Sequence, residues 1–296
     1  NPSPIDTDPV WGPNSWVVFE SNRRGNWDLF AVDMSNGREY QLTDSPADDI
    51  NPFWSPDGQK LVFQSSRLGR WQIFELDLLT NAVRQISDGA GTDVEPTYSN
   101  DGTRIAYRSY DAEGGRSRIA IISADGQNRR FITGEDETAT NHTWSPSDSL
   151  IAYQSDQDGD LDIYVYEVAT GETRKVTDND IEDYAPTWRC DDNTVIFTSN
   201  IAGNPDIYEE QARPIQSPAV RVEEISVQLT FEDFNDIYPQ MTPPEENASR
   251  EGRTSLGAFG EQTIFLEPFL DTLRPDLSLD GIIREDWRPL EGCPTG

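Results

Sequence analysis

The chain has 296 residues, and 54 acidic side chains against 23 Lys and Arg give it a formal net charge of −31. This charge excludes nucleic-acid binding, because that affinity comes from Lys and Arg that neutralise phosphates. It also disfavours an anionic membrane surface, and because no run of ~18 apolar residues occurs we expect no membrane insertion. A basic protein, a polycation or a metal ion would instead be attracted.

A repeat with a period of 44 to 46 residues begins near the N-terminus. The serine that closes one apolar run recurs as Ser21, Ser65, Ser109, Ser155 and Ser199. The aromatic residue ahead of that run recurs as Trp11, Trp54, Tyr98, Trp144 and Trp188. The glycine of the following turn recurs as Gly25, Gly69, Gly115, Gly159 and Gly203. Coincident series with one period predict a repeat architecture.

Each repeat contains four short runs rich in β-branched and aromatic residues, with turn residues between them. Leu29–Asp33 and Ile163–Glu167 are continuous apolar runs of the kind that is buried on both faces. Ser55–Gly58 reads Ser-Pro-Asp-Gly, a tight turn in which Pro presets φ and Gly accepts a positive φ. Four strands per repeat predict an all-β fold, the β-propeller, with one blade per repeat.

The repeat resembles that of the TolB-like β-propeller family, whose units are also known as WD40-like Pro-Asp repeats. The matching residues are Trp54-Ser-Pro-Asp-Gly58, the Ser-x-x-x-Gly turn, Asp162-Ile-Tyr164 and Leu42-Thr43, and the resemblance covers residues 8 to 245. The resemblance implies the propeller fold. It leaves function open, because the repeat serves scaffolds, periplasmic binding proteins and the propeller domains of some serine peptidases.

A sixth repeat begins at Asp236, where Asp-Ile-Tyr-Pro aligns with Asp49-Ile-Asn-Pro, and its pattern is lost after Pro244. We expect six blades, the last degenerate; five blades and an appended tail is the alternative. The predicted domains are a propeller over residues 1–260 and an irregular C-terminal tail over 261–296. The tail is too apolar to stay in water, so it is expected to complete the last blade, to dock on another molecule, or both.

One face of the propeller is expected to collect the acidic loops, because strand direction alternates within each blade. The candidate partner-binding residues there are Trp27, Trp71, Asp48, Asp49, Glu182 and Asp183. Exposed Trp often marks an interface. The alternatives are loop charge that is solvated and partly cancelled by nearby arginines, and Trp rings that pack on the Arg stems beside them.

The loop Asp156-Gln-Asp158-Gly-Asp160-Leu-Asp162 places carboxylates at alternate positions around a glycine. Such a loop can surround Ca²⁺ with oxygen atoms, and it is similar to loops of some calcium-binding propellers. The metal candidates are therefore Asp156, Asp158, Asp160 and Asp162. The alternative is an ordinary repeat turn, because Asp28 and Asp206 stand where Asp162 does. No other cofactor is expected.

No residue set predicts catalysis. His142, the one histidine, stands where other repeats have proline, and we expect it to be a strand residue. A chain with one His cannot form a His-rich metal site, and no Gly-x-Ser-x-Gly nucleophile elbow occurs. We therefore expect no enzymatic activity.

Two cysteines, Cys190 and Cys293, fit one disulfide, with two unrelated thiols as the alternative. Asn141 and Asn247 begin Asn-x-Ser/Thr glycosylation triplets. With the acidic composition, these features favour an extracellular, periplasmic or cell-surface location.

The sequence thus predicts a secreted or cell-surface propeller that binds another protein or a surface assembly and performs no chemistry. The alternative is a propeller enzyme that acts on carbohydrate through channel carboxylates, with or without Ca²⁺.

Overall fold

The computed structural model describes residues 4–88, 91–110, 115–212 and 227–228. Their strands form five antiparallel sheets of four strands each, in chain order within every sheet. The predicted all-β propeller fold is confirmed, with one sheet, or blade, for each of the five clear repeats. The predicted sixth blade, the boundary at residues 260 and 261 and the tail lie outside the described residues.

Blade I contains β1 Asp6–Trp11, β2 Trp16–Ser21, β3 Asp28–Asp33 and β4 Arg38–Gln41. Blade II contains β5 Asp49–Trp54, β6 Lys60–Ser65, β7 Gln72–Asp77 and β8 Ala82–Gln85. Blade III contains β9 Thr92–Tyr98, β10 Arg104–Tyr110, β11 Ser117–Ser123 and β12 Arg130–Phe131. Blade IV contains β13 Ala139–Trp144, β14 Leu150–Ser155, β15 Asp162–Glu167 and β16 Thr173–Lys175. Blade V contains β17 Asp183–Trp188, β18 Thr194–Ser199, β19 Asp206–Gln211 and β20 Val227–Gln228.

Apolar clusters join each described blade to the next. Between blades I and II, for example, Val18 and Leu29 pack with Phe63 and Phe74. The other three clusters join blades II and III, III and IV, and IV and V. In blades II, III and IV the second and third strands pack against a neighbour on both faces, which explains why their sequences are continuous apolar runs. Among the described residues no helix is long and apolar enough to cross a membrane.

The first strand of every described blade carries a β-bulge with one residue at positive φ. These residues are Asp8, Asn51, Glu95, Asn141 and Ala185, with φ between 50° and 55°. The next residue is proline in four blades and His142 in blade IV. A bulge bends the strand and redirects a side chain. The residue at the bulge and the one after it therefore determine which side chains line the inner wall of the propeller.

Side chains of the preceding blade satisfy several of the bulge N–H groups. The backbone N–H of Asn51 donates to Glu20 Oε1. The N–H of Glu95 donates to Gln64 Oε1 at 2.9 Å, and that of Ala185 donates to Gln154 Oε1 at 2.8 Å. In blades I, II and IV, the polar residue just before the terminal serine of the second strand therefore couples one blade to the next.

Candidate binding face and central pocket

The strand register places three residues of each blade in one row at a single face. In blade II, Asp49 lies opposite Ser65, and Ser65 lies opposite Gln72. The same pairing joins Asp183, Ser199 and Asp206 in blade V. The loops between second and third strands, and those that enter each blade, lie at this face, which we call the loop face.

Arginines neutralise the buried carboxylates of the loop face in blades I and II. Arg67 donates to both oxygens of Asp49 at 2.9 Å, and its Nε donates to Ser65 Oγ at 2.9 Å. Its guanidinium also lies 4.7 Å from the ring centre of Phe74. In blade I, Arg23 binds Asp6 in the same way. In each pair one Nη2 group is shared between both carboxylate oxygens, and with the aromatic stacking this contact holds the loop and offsets the carboxylate charge.

In blade III the buried carboxylate is also paired with an arginine, but this arginine comes from a different part of the blade. Arg129, just before β12, donates to Ser109 Oγ at 3.0 Å, and its guanidinium lies 3.5 Å from a carboxylate oxygen of Asp93. Asp93 is fully buried. Arginine side chains therefore offset the charges of Asp6, Asp49 and Asp93.

Blades IV and V lack this arginine. The position of Arg23 and Arg67 is taken by Gln157 in blade IV and by Ile201 in blade V. Asp183 keeps the place of Asp49 and is 1% exposed. It accepts a hydrogen bond from Asn179 Nδ2 at 2.9 Å, and no Lys or Arg pairs with it within the described part of the chain. Burial accordingly raises the pKa of Asp183.

The six predicted partner-binding residues occupy different environments. Glu182 is exposed, whereas Asp49 and Asp183 are interior. Asp48 Oδ1 accepts the N–H of Trp27 at 2.9 Å and so orders that turn. Trp27 and Trp71 are half-buried, and their carbonyls accept the N–H groups of Asp49 and Asp93, at the start of β5 and β9. The role of all six residues in partner binding stays a prediction. Of the four acidic candidates, Glu182 is the one whose carboxylate is exposed.

The predicted metal loop brings three carboxylates together. Single oxygens of Asp158, Asp160 and Asp162 lie within 4.8 Å of one another. Asp156 points elsewhere, because its Oδ1 accepts the N–H of Thr138 at 2.6 Å. These three residues have the oxygen chemistry that Ca²⁺ prefers, and the calcium site stays a prediction.

An ammonium group of the chain already lies in this cluster. Lys175 Nζ contacts Asp158, and it lies 2.8 Å from both Asp162 and Asp178. Although burial opposes the charged form, these contacts raise the pKa of Lys175. Burial also raises the pKa of Asp162 to about 6. A metal ion at this loop would have to displace the lysine.

A pocket of ≈ 320 Å³ opens between the innermost strands of blades I to IV. Its walls are formed by Asp8, Val10, Asn51, Pro52, Glu95, Pro96, Thr97, Asn141 and His142. Asn51 and Asn141 donate their Nδ2 groups to Gln64 and Gln154. Arg108 donates to Glu95. The wall is thus rich in hydrogen-bond acceptors, and Arg108 offsets the charge of Glu95.

Two titratable groups near the pocket are strongly perturbed. Glu20 is 4% exposed, and burial raises its pKa to about 7, with a smaller contribution from Asp8. His142 is 7% exposed, and burial lowers its pKa to about 4. Glu20 was not among the sequence candidates. The repeat itself singles it out, because Glu20 is the one carboxylate among the residues that precede the strand-two serines, the others being Gln64, Arg108, Gln154 and Thr198.

The remaining predicted residues lie apart from these sites. Cys190 is half-buried in the turn between β17 and β18, at the face opposite the loop face. Its predicted partner Cys293 lies outside the described residues, as does Asn247, so the disulfide stays a prediction. The amide nitrogen of Asn141, the atom that a glycan would modify, donates to Gln154 at 3.0 Å in the pocket wall.

The profile of the TolB beta propeller domain family matches residues 2–95 and 81–246. The Tol-Pal system protein TolB of Methylococcus capsulatus is 36% identical over 74 residues, which are 24% of this chain and 18% of that protein. The TolB protein of Ruthia magnifica is 28% identical over 95 residues, 32% of this chain and 22% of that protein. The matched stretches therefore span less than a quarter of either curated relative.

Solved structures show the same fold. The puromycin-hydrolyzing peptidase of Mycobacterium tuberculosis has a TM-score of 0.62 at 17% identity and covers 78% of this chain and 38% of its own. TolB from Acinetobacter baumannii has a TM-score of 0.51 at 19% identity, over 71% of this chain and 50% of its own. Structural similarity at this level of identity concerns the fold alone. Function has to be argued from the residues of the candidate sites. From the profile match and its five repeated blades, this chain belongs to the TolB β-propeller domain family.

Proposed function

We propose that this chain is a non-catalytic binding module, located in the periplasm or at the cell surface, that docks a protein with a basic surface. The docking site is the loop face of blades IV and V. The observation that carries this proposal is the loss there of the arginines that neutralise the same face in blades I to III.

The charge count along the chain supports this location. Residues 6–88 carry 13 acidic side chains and seven basic ones. Residues 135–183 carry 14 acidic side chains and only two basic ones. Asp136, Asp156, Asp178, Asp180 and Glu182 are exposed on the loop face. A surface patch of one sign attracts a partner of the opposite sign and accelerates its association. Membership of a family that includes Tol-Pal system proteins agrees with a protein partner.

Charge reversal on the two faces tests the proposal. Glu182 lies on the loop face and Glu172 at the opposite face, and both are exposed. The variants Glu182→Lys and Glu172→Lys therefore change the net charge equally. The immobilised variants would be used to capture proteins from envelope fractions of the source organism, with quantification by mass spectrometry.

Glu182→Lys is expected to lose the captured basic proteins, and Glu172→Lys is expected to keep them. Because the contact is electrostatic, capture by the parent chain should also weaken as salt rises from ~0.05 to ~0.5 M. Equal capture by both variants would refute docking at blades IV and V.

A second candidate, chemistry on carbohydrate, is favoured by the carboxylates of the central pocket. Asp8 and Glu95 line this pocket. Beside it, burial raises the pKa of Glu20 to about 7, and a carboxyl group that keeps its proton near neutral pH is what a general acid of glycoside chemistry needs. Release of new reducing ends from oligosaccharides, lost in Asp8→Asn, would support this candidate. No release from acidic or neutral oligosaccharides would reject it.

A further inference from the structure

One residue of each β-bulge in blades I to IV lines the central pocket. All four have φ between 50° and 55°, and they are Asp8, Asn51, Glu95 and Asn141. A single backbone conformation, repeated on four blades, therefore presents two carboxylates and two amides to the same space. The apolar part of the wall comes from Val10, Pro52 and Pro96.

The strand behind the two amides fixes their orientation. Gln64 Oε1 accepts the backbone N–H of Glu95 at 2.9 Å, and because a backbone N–H can only donate, this Gln64 atom must be the oxygen. The same oxygen lies 2.8 Å from the amide of Asn51, so the contacting Asn51 atom must be the nitrogen. Gln154 fixes Asn141 in the same way. Each asparagine therefore keeps its carbonyl oxygen and one N–H for a ligand.

The polar groups that line the pocket are accessible to a ligand. Asp8 and Asn141 are exposed, and Asn51 and Glu95 are half-buried. Asn51 Oδ1 and Glu95 Oε2 have no hydrogen-bond partner within the described residues, and both keep solvent-accessible surface. Arg108 binds the other oxygen of Glu95, whereas no Lys or Arg of the described residues pairs with Asp8. The wall thus combines acceptors, amide N–H donors and one negative charge that no cation offsets.

We propose that the central pocket binds a neutral sugar ring. Each hydroxyl group both donates and accepts, so the ring can donate to the carboxylates of Asp8 and Glu95 and accept the free N–H groups of Asn51 and Asn141. Hydroxyl donors form their stronger hydrogen bonds with ionised carboxylates. The apolar wall residues would contact the C–H groups of the ring.

Other classes of small ligand fit this wall less well. An ammonium group has no acceptor for the two amide N–H groups, and Asp8 would repel a sugar acid. The volume of ≈ 320 Å³ suits a small ligand, because ligand pockets measure about 300–1,000 Å³. The inference depends neither on docking at blades IV and V nor on the catalytic candidate, since binding requires no bond cleavage.

Saturation-transfer NMR titrations of the intact chain test the proposal. The neutral probes are methyl β-D-glucopyranoside and methyl β-D-galactopyranoside, which differ in the direction of one hydroxyl. Methyl β-D-glucuronide is the acidic sugar, and ethanolamine is the small cation. Each is added up to ~20 mM, which saturates a site with a Kd of about 1 mM. A pH of ~6 is used, below the pKa of about 7 that burial gives Glu20, so that Asp8 supplies the charge under test.

At least one neutral glycoside is expected to bind saturably, and at least about fivefold more tightly than the glucuronide or ethanolamine. Asn141→Ala is expected to weaken its binding by about 10-fold, as for two neutral hydrogen bonds. The bulge tolerates alanine, because Ala185 has φ 53° at the equivalent place and Asn141 has 51°. Asn128→Ala is the matched control and is expected to bind as the parent does, because Asn128 is an exposed asparagine at positive φ that does not line the pocket.

Asp8→Asn tests the charge, and it suits the bulge because Asn51 and Asn141 occupy the same conformation. It is expected to narrow the preference for the neutral glycoside over the glucuronide, because the repulsion is removed. The inference is overturned if neither neutral glycoside binds saturably, or if the glucuronide or ethanolamine binds as tightly. Equal binding by Asn141→Ala and Asn128→Ala, or an unchanged preference in Asp8→Asn, would also overturn it.

Discussion

Glu20 is the clearest case in which one residue departs from its repeat. Gln64 and Gln154 hold the same place and accept the same kind of bulge N–H with a neutral amide. Glu20 accepts the N–H of Asn51 with a carboxylate whose pKa burial raises from 4.5 to about 7. The folded state therefore holds the proton more tightly than the unfolded chain. Stability from this group is complete below pH ~4.5 and is lost as pH rises through ~7.

We predict that Glu20→Gln stabilises the chain at alkaline pH. The amide keeps the acceptor for Asn51 and removes the buried charge, so the free energy of unfolding should rise by on the order of 2 kcal/mol at pH 8. The gain should shrink towards pH 4.5. Thermal unfolding at several pH values measures it, and Gln64→Glu is the reverse control. An equal gain at all pH values, or a loss at pH 8, would show that the charge is not the cause.

Blades I, II and V repeat one loop-face element with different side chains. The N–H groups of Arg23, Arg67 and Ile201 all lie 3.3 Å from the Oγ of the preceding strand-two serine. The turn after the second strand therefore has the same backbone contact in blades I and II, which carry the arginine, and in blade V, which carries isoleucine. The aromatic pair below it is also kept, since the Phe63–Phe74 and Phe197–Tyr208 ring centres are both 6.2 Å apart.

We predict that Ile201→Arg restores the ion pair in blade V. The new guanidinium should stack over Tyr208 and bind Asp183, which raises the free energy of unfolding by on the order of 1–2 kcal/mol. Ile201→Gln is the matched control, because glutamine stands there in blade IV. Denaturant unfolding measures both variants. If the arginine variant is no more stable than the glutamine variant, the pair does not form.

Lys175 determines how the carboxylates of the 156–162 loop behave. We predict that Lys175→Gln gives a larger calcium-dependent rise in Tm than the parent shows, because Asp158, Asp160 and Asp162 lose their internal cation. At a hundredfold excess of Ca²⁺ over Kd the stabilisation would be about 2.7 kcal/mol. Asp158→Asn in the same background should abolish it. A parent response equal to that of the variant would mean that the lysine does not compete.

The whole molecule combines features that the sequence could predict with others that it could not. The blade count of the described part followed from Ser21 and its counterparts, because period and apolar runs are local properties. The bulges were not predictable, since Asp8, Glu95 and Ala185 share no residue type. Arg129 was also missed, because it reaches Asp93 from the fourth strand and not from the position of Arg67. Tertiary geometry set both features.

Carboxyl footprinting of the chain with its captured partner reports whether the partner covers the acidic loop face of blades IV and V. Exposed carboxylates would be labelled with a carbodiimide and an amine, in the free chain and in the complex, and quantified by mass spectrometry. Docking at blades IV and V predicts protection of Asp156, Asp178, Asp180 and Glu182, with unchanged labelling at Asp57, Asp101 and Asp191 on the opposite face. Protection of the opposite-face residues, with the loop face of blades IV and V still labelled, would contradict it.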